Sequence, residues 1–192
     1  MNYKKEITFP FIIHFKNSFV YMKIYDAQIA KKNILNFFKK SGITIEDFAN
    51  ILGTSDRWIK YIQSNEKYVF DVEIVKKASA FFAVEYNKIS SIVLTPPNNL
   101  RQVLQKKHSK NPEYSKILND TPSISFIIEN ILAIDEDFKN SNGLELKYVK
   151  NIIKKYFPNM KLTTLSSELQ RSTVIETTKS PIKINTNLYK LR

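Results

Sequence analysis

Asp56, Arg57, Lys60, Tyr61 and Ser64 fall on one side of the short stretch "SDRWIKYIQSN", opposite Ile59 and Ile62. On a helix, the two isoleucines turn inward and the five polar or amphipathic side chains turn to solvent. An arginine placed there can make two hydrogen bonds to guanine O6 and N7, and a lysine can meet a phosphate. A merely solvated helix face has the same composition, so the surrounding sequence has to separate the two readings. Catalysis has less to work with. The chain has no cysteine and two histidines, His14 and His108, which excludes a disulfide frame, a zinc cluster and a Cys/His pair. No glycine-rich phosphate loop occurs, and the acids Asp135, Glu136 and Asp137 sit together in "DEDFKNSNG", which reads as a solvated polar loop. The expectation is a non-enzyme with no metal and no cofactor.

The net charge of +12 points to a polyanionic partner, of which nucleic acid is the usual one. An AT-rich coding sequence also enriches lysine, so local bias carries more information than the total. Residues 123–160 balance at 5 basic and 5 acidic, whereas 161–192 carry 6 basic against 2 acidic. No stretch is long and apolar enough for a bilayer. The opening "MNYKKEITFPFIIHFKNSFVY" is interrupted by His14, Lys16 and Asn17 and lacks a small-residue cleavage site. It reads as neither signal nor anchor but as an arm over 1–26, with Met22 as an alternative start. A cytoplasmic, nucleoid-associated protein is expected.

The elements that must carry the polar face follow from periodicity. Ile29, Ile34, Leu35, Phe37 and Phe38 predict a helix over 27–40, ended by Ser41-Gly42. Thr44 is a predicted N-cap with Asp47 three residues on, and Phe48, Ala49, Ile51 and Leu52 supply the buried face of a second helix closed by Gly53. Ser55 caps the third helix, Asp71 opens a fourth, and Tyr86 and Ile89 mark a short fifth. Each is too short to stand alone, so residues 27–94 must pack as a bundle. "TPPNNL" at 95–100 breaks the chain. The reading over 95–122 is a basic linker with one short helix around Leu100, Val103 and Leu104.

Gly53 is one of only three glycines, and two helices joined steeply through a few residues need a positive φ there. The stretch "TIEDFANILGTSDRWIKYIQSN" resembles the helix-turn-helix of the phage lambda repressor and Cro family, whose usual pattern is T-Q-E-E-L-A-x-x-L-G-[VI]-S-x-x-x-I-S-x-I-E-N-G. Thr44, Glu46, Phe48 (for leucine), Ala49, Leu52, Gly53, Ser55, Ile59 and Ile62 match. The resemblance spans 27–91 and implies a DNA-binding bundle whose third helix enters the major groove. It places Asp56, Arg57 and Tyr61 toward base edges and adds Thr44, Ser55, Lys60, Ser64 and Lys67 to the DNA-binding set. Asp56 either stabilises its helix N-terminus or accepts from cytosine N4, and Trp58 either covers the core edge or meets a thymine methyl or the sugar backbone. Ile45 stands where the family commonly has a backbone-binding glutamine. Asn65 replaces the usual glycine after helix three, as a residue that also tolerates the left-handed conformation.

Past the linker, Ile124 to Leu132 predict a buried helix over 123–134, Leu144 to Phe157 a second, and "LTTLSSELQRS" a short third capped by Thr163 or Thr164. "TVIETTK" alternates at period two, "SPIK" makes a turn, and "INTNLYKLR" returns. Three helices and a hairpin over 123–192 resemble winged-helix domains in element order. That implies a second recognition helix exposing Thr164, Ser166, Ser167, Gln170 and Arg171, with Lys179 and Lys183 flanking the wing turn. The fold expected is therefore mainly α: an amino-terminal five-helix bundle and a carboxy-terminal winged-helix-like α+β module. The function expected is a transcriptional regulator that binds double-stranded DNA as a homodimer, since one short helix reads few base pairs. The alternative is a protein–protein interaction or assembly module on the same scaffold, with weak or no DNA binding.

Overall fold

Asp26 accepts the backbone N–H groups of Gln28 and Ile29 at 2.8 and 3.0 Å, which caps α1 (Ala27–Ser41). The structure is a computed structural model that describes residues 25–192. Of the arm expected over 1–26, only Tyr25 and Asp26 fall among the described residues, and both belong to the bundle: Tyr25 stacks on Tyr86 at 6.2 Å.

Six further helices follow: α2 (Ile45–Leu52), α3 (Asp56–Ser64), α4 (Val72–Phe82), α5 (Tyr86–Ile89), α6 (Leu100–Lys107) and α7 (Pro112–Asn119). They share one core, in which Ile34, Phe48, Ile59, Ile62, Phe81 and Ile89 are completely buried. Phe48 stacks on Phe38 at 4.5 Å, a geometry that adds to simple area burial. Two buried polar side chains tie this core together. Lys31 donates to the carbonyls of Asn65 and Tyr68 at 2.7 and 2.9 Å, and Asn33 donates to those of Ile89 and Ile92 while accepting from Leu94 N–H.

The segment 95–122 differs from the expected linker. Leu100, Leu104 and Leu118 are buried in the first core, and α7 is a second helix that the polar run "KKHSKNPEYSK" concealed. Its signals are local: Asn111 caps it by accepting from Tyr114 N–H, Pro112 sits in its first turn, and Tyr114, Ile117 and Leu118 recur at helical spacing. The basic residues here are partly structural. Arg101 donates to the carbonyls of Ser41 and Asp120 at 3.0 and 2.7 Å, and its burial pushes the guanidinium pKa down. His108 donates from Nε2 to the Phe81 carbonyl at 2.6 Å and stacks on the Phe81 ring.

The second core is built by α8 (Ile124–Asn130), a 3₁₀ turn (Leu132–Ile134), α9 (Glu136–Lys139), β1 (Leu144–Glu145), α10 (Leu146–Tyr156), α11 (Leu165–Arg171), β2 (Ile175–Lys179) and β3 (Asn187–Leu191). Three expectations are corrected here. The polar loop "DEDFKNSNG" contains α9, with Phe138 fully buried. Asp135 is only 8% exposed because it caps that helix and accepts from Tyr156 O–H at 2.9 Å. Leu144 and Glu145 form a strand instead of the first turn of a helix, pairing with Tyr189 and Leu188. The hairpin loop spans residues 180–186, longer than "SPIK", and closes with Ser180 N–H donating to the Thr186 carbonyl. The antiparallel sheet has the order β1-β3-β2. The described chain is thus mainly helical with one small sheet.

The two cores meet at the end of α1. Gly42, at φ 69°, caps α1, and its carbonyl accepts from Ser123 N–H at 2.8 Å. Phe126 of α8 lies flat against it: a Cβ on Gly42 would stand 2.6 Å from the ring. Lys39 pairs with Glu129 at 2.9 Å, and Arg101 links Ser41 to Asp120 from beneath. The modules are clamped together, with no free tether between them.

Candidate nucleic-acid interface

The geometry around α3 grows out of its caps. Thr44 Oγ1 accepts from Asp47 N–H at 3.1 Å and donates to the Asp47 carboxylate at 2.6 Å, opening α2. Gly53 ends it at φ 69°, ψ 40°, with Thr54 N–H donating back to the Ala49 carbonyl at 2.9 Å. Ser55 then accepts from Trp58 N–H at 3.1 Å and starts α3. Lys77 of α4 braces the turn by donating to the Leu52 carbonyl at 3.0 Å. A side chain at Gly53 would have to displace that ammonium, since its Cβ would lie 2.6 Å from Lys77 Nζ. Gly53→Val in the full chain is therefore expected to cost about 1–3 kcal/mol, mostly for the left-handed backbone. An unchanged denaturation midpoint would show that the turn tolerates a β-branched residue.

With Ile59 and Ile62 completely buried, α3 presents Arg57, Lys60, Tyr61 and Ser64 to solvent. Lys60 pairs with Asp56 at 2.7 Å, one turn apart. That hydrogen bond is the largest cause holding the Asp56 carboxyl below, and the Lys60 ammonium above, its ordinary pKa. Backbone N–H groups of the first turn also lower Asp56, which supports its helix-stabilising role. Arg57 is exposed, and no ion pair among the described residues involves it. Trp58 is half-buried against the core and stacks on Tyr61 at 5.7 Å, and Tyr61 meets Tyr68 at 4.8 Å. A hydrogen bond from the Tyr61 hydroxyl to Tyr68 is the largest cause raising the Tyr61 phenol above its ordinary pKa. Lys67 is exposed just past the helix. Asn65 is extended, at φ −126°, in place of the left-handed conformation its sequence position suggested. Its carbonyl accepts from the buried Lys31 ammonium at 2.7 Å.

In the second module Thr164 occupies the N-cap position of α11 but makes no side-chain cap bond. Gln170 and Arg171 are exposed, while Ser167 donates to its own helix at the Thr164 carbonyl, and Ser166 shares a hydrogen bond with Tyr189 at 2.9 Å. Most of the basic bias of 161–192 is already engaged. Arg171 pairs with Glu168, Lys183 with Glu145 and Lys190 with Glu176, and Arg192 donates to the Ile175 carbonyl. Among the described residues no ion pair involves Lys161 or Lys179, and both are exposed. Lys179 ends β2 at the edge of the hairpin loop as expected, whereas Lys183 lies inside the 180–186 loop instead of flanking it, between Ile182 and Ile184, which are 89% and 92% exposed.

The structure brings α3 and α11 to the rim of one cleft of about 830 Å³, lined by Lys60 and Gln63 on one wall and by Lys161, Thr164 and Arg171 on the other. Lys179, Lys183 and Gln170 do not line it. Lys161 was missed by sequence reasoning; its place in the basic excess after residue 160 was the available signal. No cluster of metal-ligating side chains and no helix long and apolar enough to cross a membrane occurs among the described residues. No protein-family model matches the chain, and no curated protein or solved structure shows significant similarity to it.

Proposed function

We propose that the chain is a sequence-specific regulator that binds double-stranded DNA, with α3 in the major groove and a second, winged-helix-like module beside it. The observation that carries this reading is the capped α2–Gly53–α3 turn. It buries Ile59 and Ile62 and holds Arg57, Tyr61 and Ser64 outward on a rigid support. The second module supports it: after α8, a 3₁₀ turn and α9, the order β1, α10, α11 and the β2–β3 hairpin, with β3 between β1 and β2, resembles that of a winged helix. A homodimer reading paired half-sites completes the proposal.

Arg57 is assigned to a base edge and Lys60 to phosphate. Arg57→Ala is expected to cost about 1–3 kcal/mol and to relax preference at one position, whereas Lys60→Ala weakens all sequences alike. Binding to duplexes selected from a random pool, followed by titration of both variants, tests this. Equal, sequence-blind losses would remove the base-reading role of Arg57.

A second reading, a partner-binding module, is favoured by the hairpin tip, where Ile182 and Ile184 are almost fully exposed. The same selection separates the two. Duplex affinity that falls steeply with salt supports the DNA reading, and its absence favours the protein partner.

A further inference from the structure

The cleft between α3 and α11 limits how the two modules can share one duplex. Its volume of about 830 Å³ is on the scale of a small-molecule site. Its walls therefore stand much closer than the ~34 Å that separates successive major-groove turns on one face of DNA. The clamp at Gly42, Phe126 and Arg101 leaves no tether by which the modules could spread to that distance. The side chains of α3 and α11 that line the cleft are thus too close together to enter consecutive grooves.

We infer that the cleft seats a single strand of the DNA backbone, so that α3 reads a groove while α11 grips the phosphodiester chain bordering that same groove. The inference rests on the DNA-binding reading. The lining fits the ligand: Lys60 comes from one wall and Lys161 and Arg171 from the other, with Gln63, Asn159 and Thr164 as neutral hydrogen-bonding groups. Two carboxylates, Glu46 and Glu168, and the apolar side chains of Phe38, Ile45, Ile124 and Met160 also line the space, so that three lining cations face two lining carboxylates, with Asp56 paired to Lys60 outside the lining. Glu168 is held by Arg171 at 3.3 Å, and Lys60 by Asp56 at 2.7 Å. Both are solvent-exposed pairs one turn apart, a kind that contributes little, so a phosphate can displace the carboxylate from either cation. Lys161 needs no such exchange and is the principal contact.

The test uses the full chain and a duplex recovered from a random pool. Within each half-site, hydroxyl-radical cleavage should show one continuous protected stretch along the strand edging the α3 groove. Lys161→Ala should weaken specific and non-specific duplexes by the same factor and lower the salt slope by about one phosphate contact, with an unchanged melting curve. Two separate protected patches within a single half-site, or an unaltered slope in Lys161→Ala, would overturn the cleft assignment while leaving the α3 reading in place. Failure of the full chain to bind any duplex would instead overturn the DNA-binding reading and this inference with it.

Discussion

Asn33→Leu is expected to lower the stability of the full chain by about 3–5 kcal/mol, because it leaves several buried backbone groups without partners. Asn33 is completely buried on α1. Its amide donates to the carbonyls of Ile89 and Ile92 at 2.8 and 2.7 Å, and its oxygen accepts from Leu94 N–H at 2.8 Å. Together these bonds fasten the end of α5, and the chain leading to α6, onto the first helix. Leucine matches the size of asparagine but restores none of them, and each orphaned group carries a penalty of about 1–3 kcal/mol. Asn33→Asp is a sharper control. It keeps the acceptor for Leu94 and loses both donors, setting a carboxylate against two carbonyl oxygens. Denaturant titration should rank wild type above both variants. A loss under about 1 kcal/mol in Asn33→Leu would mean that water reaches these groups and that the bonds are not structural.

Gly42→Val is expected to cost about 2–5 kcal/mol, from two additive sources. Gly42 sits at φ 69°, where a side chain adds roughly 1–2 kcal/mol of backbone strain. Its Cβ would also lie 2.6 Å from two atoms of the Phe126 ring, and overpacking of that kind costs about 1–3 kcal/mol. The sources separate in a double-mutant cycle of Gly42→Ala and Phe126→Ala. Removing the ring should make the alanine cheaper by about 0.5–3 kcal/mol, leaving only the backbone part. Strict additivity in that cycle would show that Phe126 does not press on Gly42. Since this contact orients α8 against α1, Gly42→Ala should also lower the salt slope of DNA binding toward that of Lys161→Ala.

Much of the amino-terminal bundle was legible because its signals are local. Thr44, Ser55 and Asp71 accept N–H groups three residues ahead, and Gly42 and Gly53 end helices with positive φ; each message lies within one turn of chain. The errors lie where a short element is stabilised only by what covers it. Phe138 stands alone among acids and polar residues, and α9 exists because that ring enters the second core. Leu144 and Glu145 carry no strand signal of their own, and their pairing comes from Tyr189 and Leu188, more than forty residues away.

For the candidate site, the pattern of residues by itself determined which side of α3 is buried and which side chains face outward, since that follows from helical period and two isoleucines. Tertiary structure decided how many of the basic residues are free. Lys31, Arg101 and Arg192 contribute to composition as surface cations do, yet each is spent on a backbone carbonyl of another segment. It also decided that Lys60 and Lys161, a hundred residues apart, face one cleft. Periodicity assigns a side chain to a face of its own helix. Which faces look at each other depends on packing angles set at contacts such as Gly42 with Phe126, and those arise only when both cores have formed.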